Sequence, residues 1–80
     1  MAQKELAHNL LAVAEEFSRV RGIKLSTARR HVGAASGFFD RIKSGDTPDF
    51  RVSNYDAMLL WFSRNWPQGA VWPSKVARPR

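Results

Sequence analysis

The stretch STARRHVGAASGFFDRIKSG, residues 26–45, holds two segments with basic residues on either side of a run of small residues. Its first half contains Arg29 and Arg30, and its second half contains Arg41 and Lys43. The small residues between them, VGAASG, are typical of a tight turn between two packed helices. Basic residues on both sides of such a turn indicate a surface that contacts the phosphate backbone of nucleic acid.

The composition indicates one folded domain. Eighty residues with 44% hydrophobic content, three Trp and five Phe are enough for a small apolar core and too apolar for a disordered chain. The chain has no cysteine, which excludes disulfides and thiolate metal sites. Charged residues near the N-terminus exclude the apolar core of a signal peptide, and no apolar run is long enough to span a membrane. We therefore expect a soluble, cytoplasmic protein.

The formal net charge of +6 is concentrated in one part of the chain. Residues 19–43 contain seven basic residues and a single acidic one, Asp40, whereas the remaining residues are six basic and six acidic. Concentrated positive charge on a folded surface attracts polyanions, nucleic acid above all. The alternative is that the cluster forms a solvated face without a partner.

The spacing of apolar residues predicts an all-α domain of four or five helices with an irregular C-terminal tail. Apolar residues recur at steps of three and four, which is the pattern of amphipathic helices, and no segment alternates with the period of two that strands need. Residues 1–74 are predicted to form the domain, and residues 75–80 a basic flexible tail. The predicted helices span residues 3–21, 26–32, 35–44 and 53–66.

Serine, glycine and proline mark the predicted helix ends. Ser26 is a candidate N-cap for the second helix, and Ser53 with Asp56 three residues later resembles a capping box for the fourth. On the first helix, Glu15 is expected to pair with Arg19 four residues later. The predicted stop signals are Gly22, Gly33, Gly45 and Pro67.

The third predicted helix has an apolar side and a polar side. At about 100° per residue, the apolar side collects Ala35, Phe38, Phe39 and Ile42. This division suits the second helix of a helix-turn-helix, which lies in the major groove of DNA while the first helix crosses the backbone. The opposite side collects Ser36, Gly37, Asp40, Arg41, Lys43 and Ser44.

Two residues on the polar side each allow two interpretations. Gly37 either lets the helix backbone approach DNA closely or marks a frayed first turn, because glycine inside a helix costs roughly 1 kcal/mol relative to alanine. Asp40 either accepts a hydrogen bond from a cytosine amino group or pairs with Arg41 or Lys43 and orients it.

The start of the second helix is a candidate phosphate site. Free N–H groups in a first turn bind anions, and the hydroxyls of Ser26 and Thr27 are expected beside them. A cation in the first turn of an isolated helix is unfavourable, so Arg29 there fits a bound phosphate, with Arg30 reaching the same strand. The alternative is that both arginines are solvated. The predicted phosphate contacts are Lys24, Ser26, Thr27, Arg29, Arg30 and Lys43.

The run VGAASGFFDRIKSG resembles the helix-turn-helix of phage repressors of the Cro and C1 type, with Gly33 at the turn and Phe39 and Ile42 at buried positions. FFDRIKSG followed by AMLLWFSRNWP and VWP is similar to small prophage-type and alphaproteobacterial regulators, which share Phe-x-x-Arg-Leu-x-x-Gly and then Trp-Phe-x-x-Asn-Trp-Pro. The resemblance covers about residues 25–73. It departs from the usual motif at Arg29, where a small buried residue is common.

The resemblance implies a lambda-repressor-like fold and a function in transcription regulation. The protein would be a sequence-specific regulator, such as a repressor, that binds double-stranded DNA as a homodimer in the nucleoid of a bacterium and is bacterial or phage-encoded. By this match the DNA base contacts are Ala35, Ser36, Gly37, Asp40, Arg41 and Ser44.

No arrangement of residues in the sequence indicates catalysis or metal binding. His8 and His31 lie far apart, and neither has a cluster of carboxylates or cysteines at ligand spacing. No phosphate-binding glycine loop, nucleophile elbow or catalytic triad pattern occurs. We expect no enzymatic activity and no cofactor.

The aromatic residues near the C-terminus suggest an alternative function. Trp61, Phe62, Trp66 and Trp72 either pack into the core or, at Trp61, form part of a dimer surface. Trp72 is expected to fold back on the core. The alternative to DNA binding is a small protein-interaction adaptor that uses the helical scaffold and the Trp61 and Trp72 region to bind a larger regulator or phage component.

Overall fold

The central element of the fold is a long N-terminal helix that packs against every other helix. The protein was examined as a computed structural model, which describes residues 3–46 and 51–79; these residues form four helices and no strand. The Cα radius of gyration of 11.5 Å matches that of a compact chain of this length. No helix in the described residues is long and apolar enough to cross a membrane. The helices are α1 (Gln3–Arg21), α2 (Leu25–Val32), α3 (Phe38–Lys43) and α4 (Val52–Arg64).

The core lies between one face of α1 and the helices that cover it. Its largest fully buried side chains are supplied by α1, α3 and α4, and α2 adds a fully buried alanine, Ala28. The small side chain of Ala28 lets α2 approach α1 and α3 closely, so the small buried residue of this helix lies next to Arg29. The largest buried side chains are Leu10, Val13, Phe39, Ile42 and Phe62.

Gly22, Gly33 and Gly45 lie just past the ends of the first three helices, where the sequence predicts stops. At Gly33 the backbone is left-handed, with φ of 72°, a conformation that glycine adopts without strain. The N–H groups of Gly33 and Ala34 donate to the last carbonyls of α2, which closes that helix end. The end of α2 and the direction of the following turn are therefore fixed by local hydrogen bonds.

The predicted N-cap of α2 is wrong by two residues. Lys24 is the N-cap and has extended backbone, with ψ of 152°, and Ser26 lies inside the first turn. Leu25 packs partly buried against the core, so the helix begins at this apolar residue rather than after the serine. Core packing therefore decides the start of α2, and no side chain caps it.

The ends of α4 also differ from the prediction. The helix begins with Arg51 as its extended N-cap and no side-chain cap, so Ser53 lies within the helix and the Ser53–Asp56 box does not form. It ends two residues before the predicted end at residue 66, because the backbone leaves helical geometry at Asn65. The Asn65 side-chain amide donates to the Trp61 carbonyl at 2.9 Å and satisfies a group at that end.

The third helix is shorter than predicted. It contains six residues, Phe38–Lys43, whereas the sequence predicts residues 35–44. Gly37 has φ of 75°, so it is a turn residue that interrupts the helix before Phe38. Ala35 is consequently exposed in the turn, and Ala34 is buried in its place, with 7% exposure. The remaining predicted apolar residues are buried as expected: Phe38, Phe39 and Ile42.

The predicted ion pair on α1 is wrong. Arg19 pairs with Glu16 three residues earlier, at 2.6 Å, rather than with Glu15. Hydrogen bonds from Arg19 hold the pKa of the Glu16 carboxyl below its ordinary value. Glu15 instead lies beside α3, with its carboxylate 3.7 Å from Lys43 Nζ. The two glutamates project about 100° apart on the helix, so only Glu15 is on the side that α3 covers.

The segment after α4 packs back on the helices as far as residue 79. Trp72 is partly buried against the core, as predicted, and its indole N–H donates to the Val76 carbonyl at 2.7 Å. Val76 is only 3% exposed. Arg78 donates to the Ser63 hydroxyl and carbonyl. Residues 75–79 are therefore part of the packed domain, in contrast to the predicted flexible tail, because the buried Val76 holds them to it.

Candidate nucleic-acid interface

A groove of about 320 Å³ lies between α2 and the start of α3, and we call it the α2–α3 groove. Leu25 and Phe39 also line it. The fold thus brings together residues from the predicted phosphate contacts and residues from the predicted base contacts, although the two sets lie on different helices. The lining residues that belong to these sets are Ser26, Arg29, Arg30, Ser36, Gly37 and Asp40.

The turn over residues 33–37 determines the shape of this groove. Gly33 and Gly37 both have left-handed backbone, so the chain changes direction at each end of the turn. Ala34 is buried between them and holds the turn against the core. Ala35 and Ser36 are exposed, and the N–H of Phe38 donates to the Ala35 carbonyl at 3.0 Å. The turn therefore presents its exposed residues from a hydrogen-bonded backbone.

Arg29 stabilises this turn and differs from the neighbouring free cations. Its guanidinium donates from Nη1 to the Ala34 carbonyl at 2.7 Å, and the Ala34 N–H donates back to the Arg29 carbonyl at 3.2 Å. Because α2 begins at Leu25, Arg29 lies in its last turn, where the helix dipole favours a cation. The predicted reason for a phosphate at Arg29, a cation in the first turn, is therefore wrong.

Replacement of Arg29 by glutamine should lower the free energy of unfolding by about 1 kcal/mol. The variant loses a half-buried hydrogen bond from a charged donor and leaves the Ala34 carbonyl without that partner. Urea unfolding followed by tryptophan fluorescence measures the effect. Arg30→Gln is the matched control, because Arg30 is exposed, and it should change stability by less than about 0.5 kcal/mol. Equal losses in both variants would contradict the structural role of Arg29.

Three exposed cations, Lys24, Arg30 and Arg41, form no ion pair with any residue that the structure describes. Lys24 immediately precedes α2, Arg30 lines the α2–α3 groove, and Arg41 lies on α3. We call these three residues the basic surface. Lys43 differs from them, because Glu15 lies 3.7 Å from its ammonium group and offsets part of its charge. The uncompensated charge of α2 and α3 is therefore on the basic surface.

The exposed side of α3 carries further predicted base contacts. The Asp40 carboxylate is exposed and forms no ion pair with Arg41 or Lys43 among the described residues. The Ser44 hydroxyl donates to the Asp40 carbonyl at 2.9 Å, and the serine is exposed at the end of the helix. The predicted contacts that do not line the groove are Lys24, Thr27, Ala35, Arg41, Lys43 and Ser44.

Trp61 and Trp72 are both partly buried and pack against the core. The Trp61 ring meets the ring of Phe17 edge-on at 5.4 Å, and Trp72 lies 4.8 Å from Trp66. Arg78 covers the Trp72 ring at 5.2 Å. Much of the aromatic surface near the C-terminus is therefore used inside the protein, which favours the packing interpretation of these residues.

Sequence reasoning did not identify Ala34 as part of the site. Its carbonyl accepts from Arg29 and its methyl group is buried, but an alanine in a run of small residues gives no chemical signal. The sequence also gave no indication that His31 stacks on Trp61, at 5.3 Å between ring centroids. Residues far apart in the sequence are brought together here by the packing of α2 beside α4, which periodicity within one helix does not reveal.

Comparisons of the chain with protein-family models, with curated proteins and with solved structures found no match. Among the described residues, no group of three or more His, Asp or Glu side chains is arranged to hold a metal ion. A function for this chain therefore rests on the chemistry of the α2–α3 groove and the basic surface.

Proposed function

We propose that the protein is a sequence-specific regulator of transcription that binds double-stranded DNA, with α2 and α3 as a lambda-repressor-like helix-turn-helix. The observation that carries the proposal is the α2–α3 groove, in which Ser26 and Arg30 of one helix lie beside Ser36 and Asp40 of the turn and the next helix. A helix-turn-helix needs two packed helices joined by a short turn with glycine, and α2, residues 33–37 and α3 have these features.

In this proposal α3 and the turn before it enter the major groove. The helix is about 9 Å long at about 1.5 Å per residue, so the exposed turn residues Ala35 and Ser36 add to its reading surface. Arg41 suits a bidentate contact with the O6 and N7 atoms of guanine, and the unpaired Asp40 carboxylate suits a cytosine amino group. Gly37 has no Cβ, which lets the backbone lie close to a base edge. Ser44 lies at the far end of this surface.

The backbone phosphates would be bound from α2 in the same arrangement. Ser26 is exposed in the first turn of α2, where backbone N–H groups are free of helical partners and attract anions. Lys24 and Arg30 supply charges that no described carboxylate neutralises. Arg29 contributes indirectly, because it holds the turn that positions α3. Contacts of this kind set the register of a protein on the duplex and carry no base information themselves.

The proposal is tested with the triple variant Lys24→Gln, Arg30→Gln and Arg41→Gln. Its affinity for a fluorescent random-sequence duplex at low salt should fall at least tenfold, because each cation contact releases counterions from the DNA. The plot of log K against log salt should become shallower by about 3, or about 0.9 for each lost phosphate contact. Fluorescence anisotropy at several salt concentrations measures both quantities.

The matched control is the triple variant Lys4→Gln, Arg64→Gln and Lys75→Gln. These residues are exposed and lie outside α2, the turn and α3, and the variant loses the same three charges from the formal net charge of +6. It should bind within about twofold of the wild type. Equal losses in both triple variants would contradict the assignment to α2 and α3. Absence of binding by the folded wild type at low salt would overturn DNA binding and favour the adaptor.

The proposal includes a homodimer on DNA, as the resemblance to phage repressors implies. Two copies related by a two-fold axis place their recognition helices one helical turn, about 34 Å, apart on the duplex. The protein would act in the bacterial nucleoid, without a cofactor and without catalytic activity.

A further inference from the structure

A second cleft, of about 360 Å³, lies where the ends of α1 and α2 meet the end of α4. None of its lining residues lines the α2–α3 groove, so the two sites are separate surfaces. We call it the aromatic cleft. It is lined by Phe17, Arg21, Ile23, His31, Trp61 and Asn65.

Stacked and edge-on rings form one wall of the aromatic cleft. His31 lies on Trp61 with 5.3 Å between ring centroids and 12° between their planes. Phe17 meets Trp61 edge-on at 70° and supports it from the core side. His31 is exposed, so one face of its ring contacts Trp61 and the other is accessible. A planar molecule therefore finds a rigid flat surface in this wall.

Arg21 supplies a positioned positive charge beside this wall. Its guanidinium carbon lies 5.5 Å from the centroid of the Phe17 ring, and Nη2 donates to the Asn65 carbonyl at 3.1 Å. A guanidinium has five N–H donors, so most of them stay available for a ligand. Arg21 forms no ion pair with a described carboxylate, and no lining residue of the cleft is acidic.

We propose that the aromatic cleft binds a small aromatic carboxylate. The ring lies against His31 and Trp61, and the carboxylate accepts paired hydrogen bonds from Arg21. The volume suits a ligand with one or two rings, and aromatic walls with a few directed polar groups are the usual chemistry of a small-molecule site. An anion is favoured because no carboxylate of the cleft balances the charge of Arg21. The site is independent of the proposed DNA binding.

The test is an NMR titration of the uniformly ¹⁵N-labelled protein with sodium benzoate. Saturable shifts are expected at the Trp61 indole N–H and at the Asn65 side-chain amide. Benzamide has the ring without the charge, and acetate has the charge without the ring, so each should bind at least fivefold more weakly than benzoate. Equal affinity for benzamide, or shifts confined to Trp66 and Trp72, would overturn the proposal.

Two variants separate the site from nonspecific attraction. Arg21→Gln removes the charge, and His31→Ala removes the stacked ring; each should weaken benzoate binding at least fivefold. The control is Arg19→Gln, an arginine on the same helix that pairs with Glu16 and does not line the cleft, and it should bind benzoate like the wild type. Folding of each variant is verified by the dispersion of its amide spectrum. Unchanged affinity in either folded site variant would overturn the proposal, and no assay here involves DNA.

Discussion

Removal of residues 75–80 is expected to lower the free energy of unfolding by about 3 kcal/mol. Burial of a valine side chain such as Val76 is worth about 1.5–3 kcal/mol, and the Trp72 indole loses the Val76 carbonyl as its acceptor, at a cost of about 1 kcal/mol. For a domain of this size the loss corresponds to a drop in Tm of about 12–24 °C. Urea unfolding and thermal melting by circular dichroism measure the two quantities.

The full-length variant Val76→Asp tests the same contact without shortening the chain. It places a carboxylate where the side chain is 3% exposed, so its effect should equal or exceed that of the truncation. Ala77→Asp introduces the same charge at an exposed neighbour and should change stability by less than about 0.5 kcal/mol. A loss below 0.5 kcal/mol in both the truncation and Val76→Asp would show that this segment contributes no packing energy.

Replacement of Phe17 by alanine should cost about 3–5 kcal/mol, at least a third of the stability of a typical small domain. Phe17 is 3% exposed, and its ring lies 5.4 Å from Trp61, 5.3 Å from Phe62 and 6.2 Å from Trp66. One side chain of α1 therefore contacts three rings of α4 and the segment after it. Each aromatic pair adds about 0.5–1.5 kcal/mol to the burial of area. Denaturant unfolding measures the loss.

Two substitutions on α1 calibrate this result. Phe17→Leu keeps much of the apolar volume and loses the ring contacts, so its effect should be smaller than that of Phe17→Ala. Val20→Ala alters a residue on the same helix that is 39% exposed, and we expect a loss of less than about 1 kcal/mol. A loss for Phe17→Ala no larger than that for Val20→Ala would contradict the central position of Phe17 in the core.

The helical content of the protein follows from the pattern of apolar residues. Four helices occur near the predicted positions, because burial of an apolar stripe is decided along one helix. The helix ends were less predictable. Ser26 and Ser53 are good N-cap residues by type, yet Lys24 and Arg51 take the extended backbone of the cap. The apolar packing of the first turn outweighs the roughly 1 kcal/mol that a side-chain cap contributes.

The candidate site was predictable in its residue types and less so in their individual roles. The excess of basic residues between 19 and 43 indicated the correct part of the chain for a charged surface. Arg29 and Arg30 are alike in sequence, but one donates to the Ala34 carbonyl and the other is exposed beside the groove. Their separation depends on which side of α2 faces the turn, and hence on the position of Ala28 in the core.

The sequence by itself determined the all-helical class, the glycine stops and the location of the surplus positive charge. These properties depend on interactions within one helix or turn, or on counting charges, so they need no knowledge of which elements meet. Only the tertiary structure decided the left-handed turn at Gly37, the burial of Val76 and the stacking of His31 on Trp61. Each depends on how distant segments pack, and a local pattern carries no information about the partner it will meet.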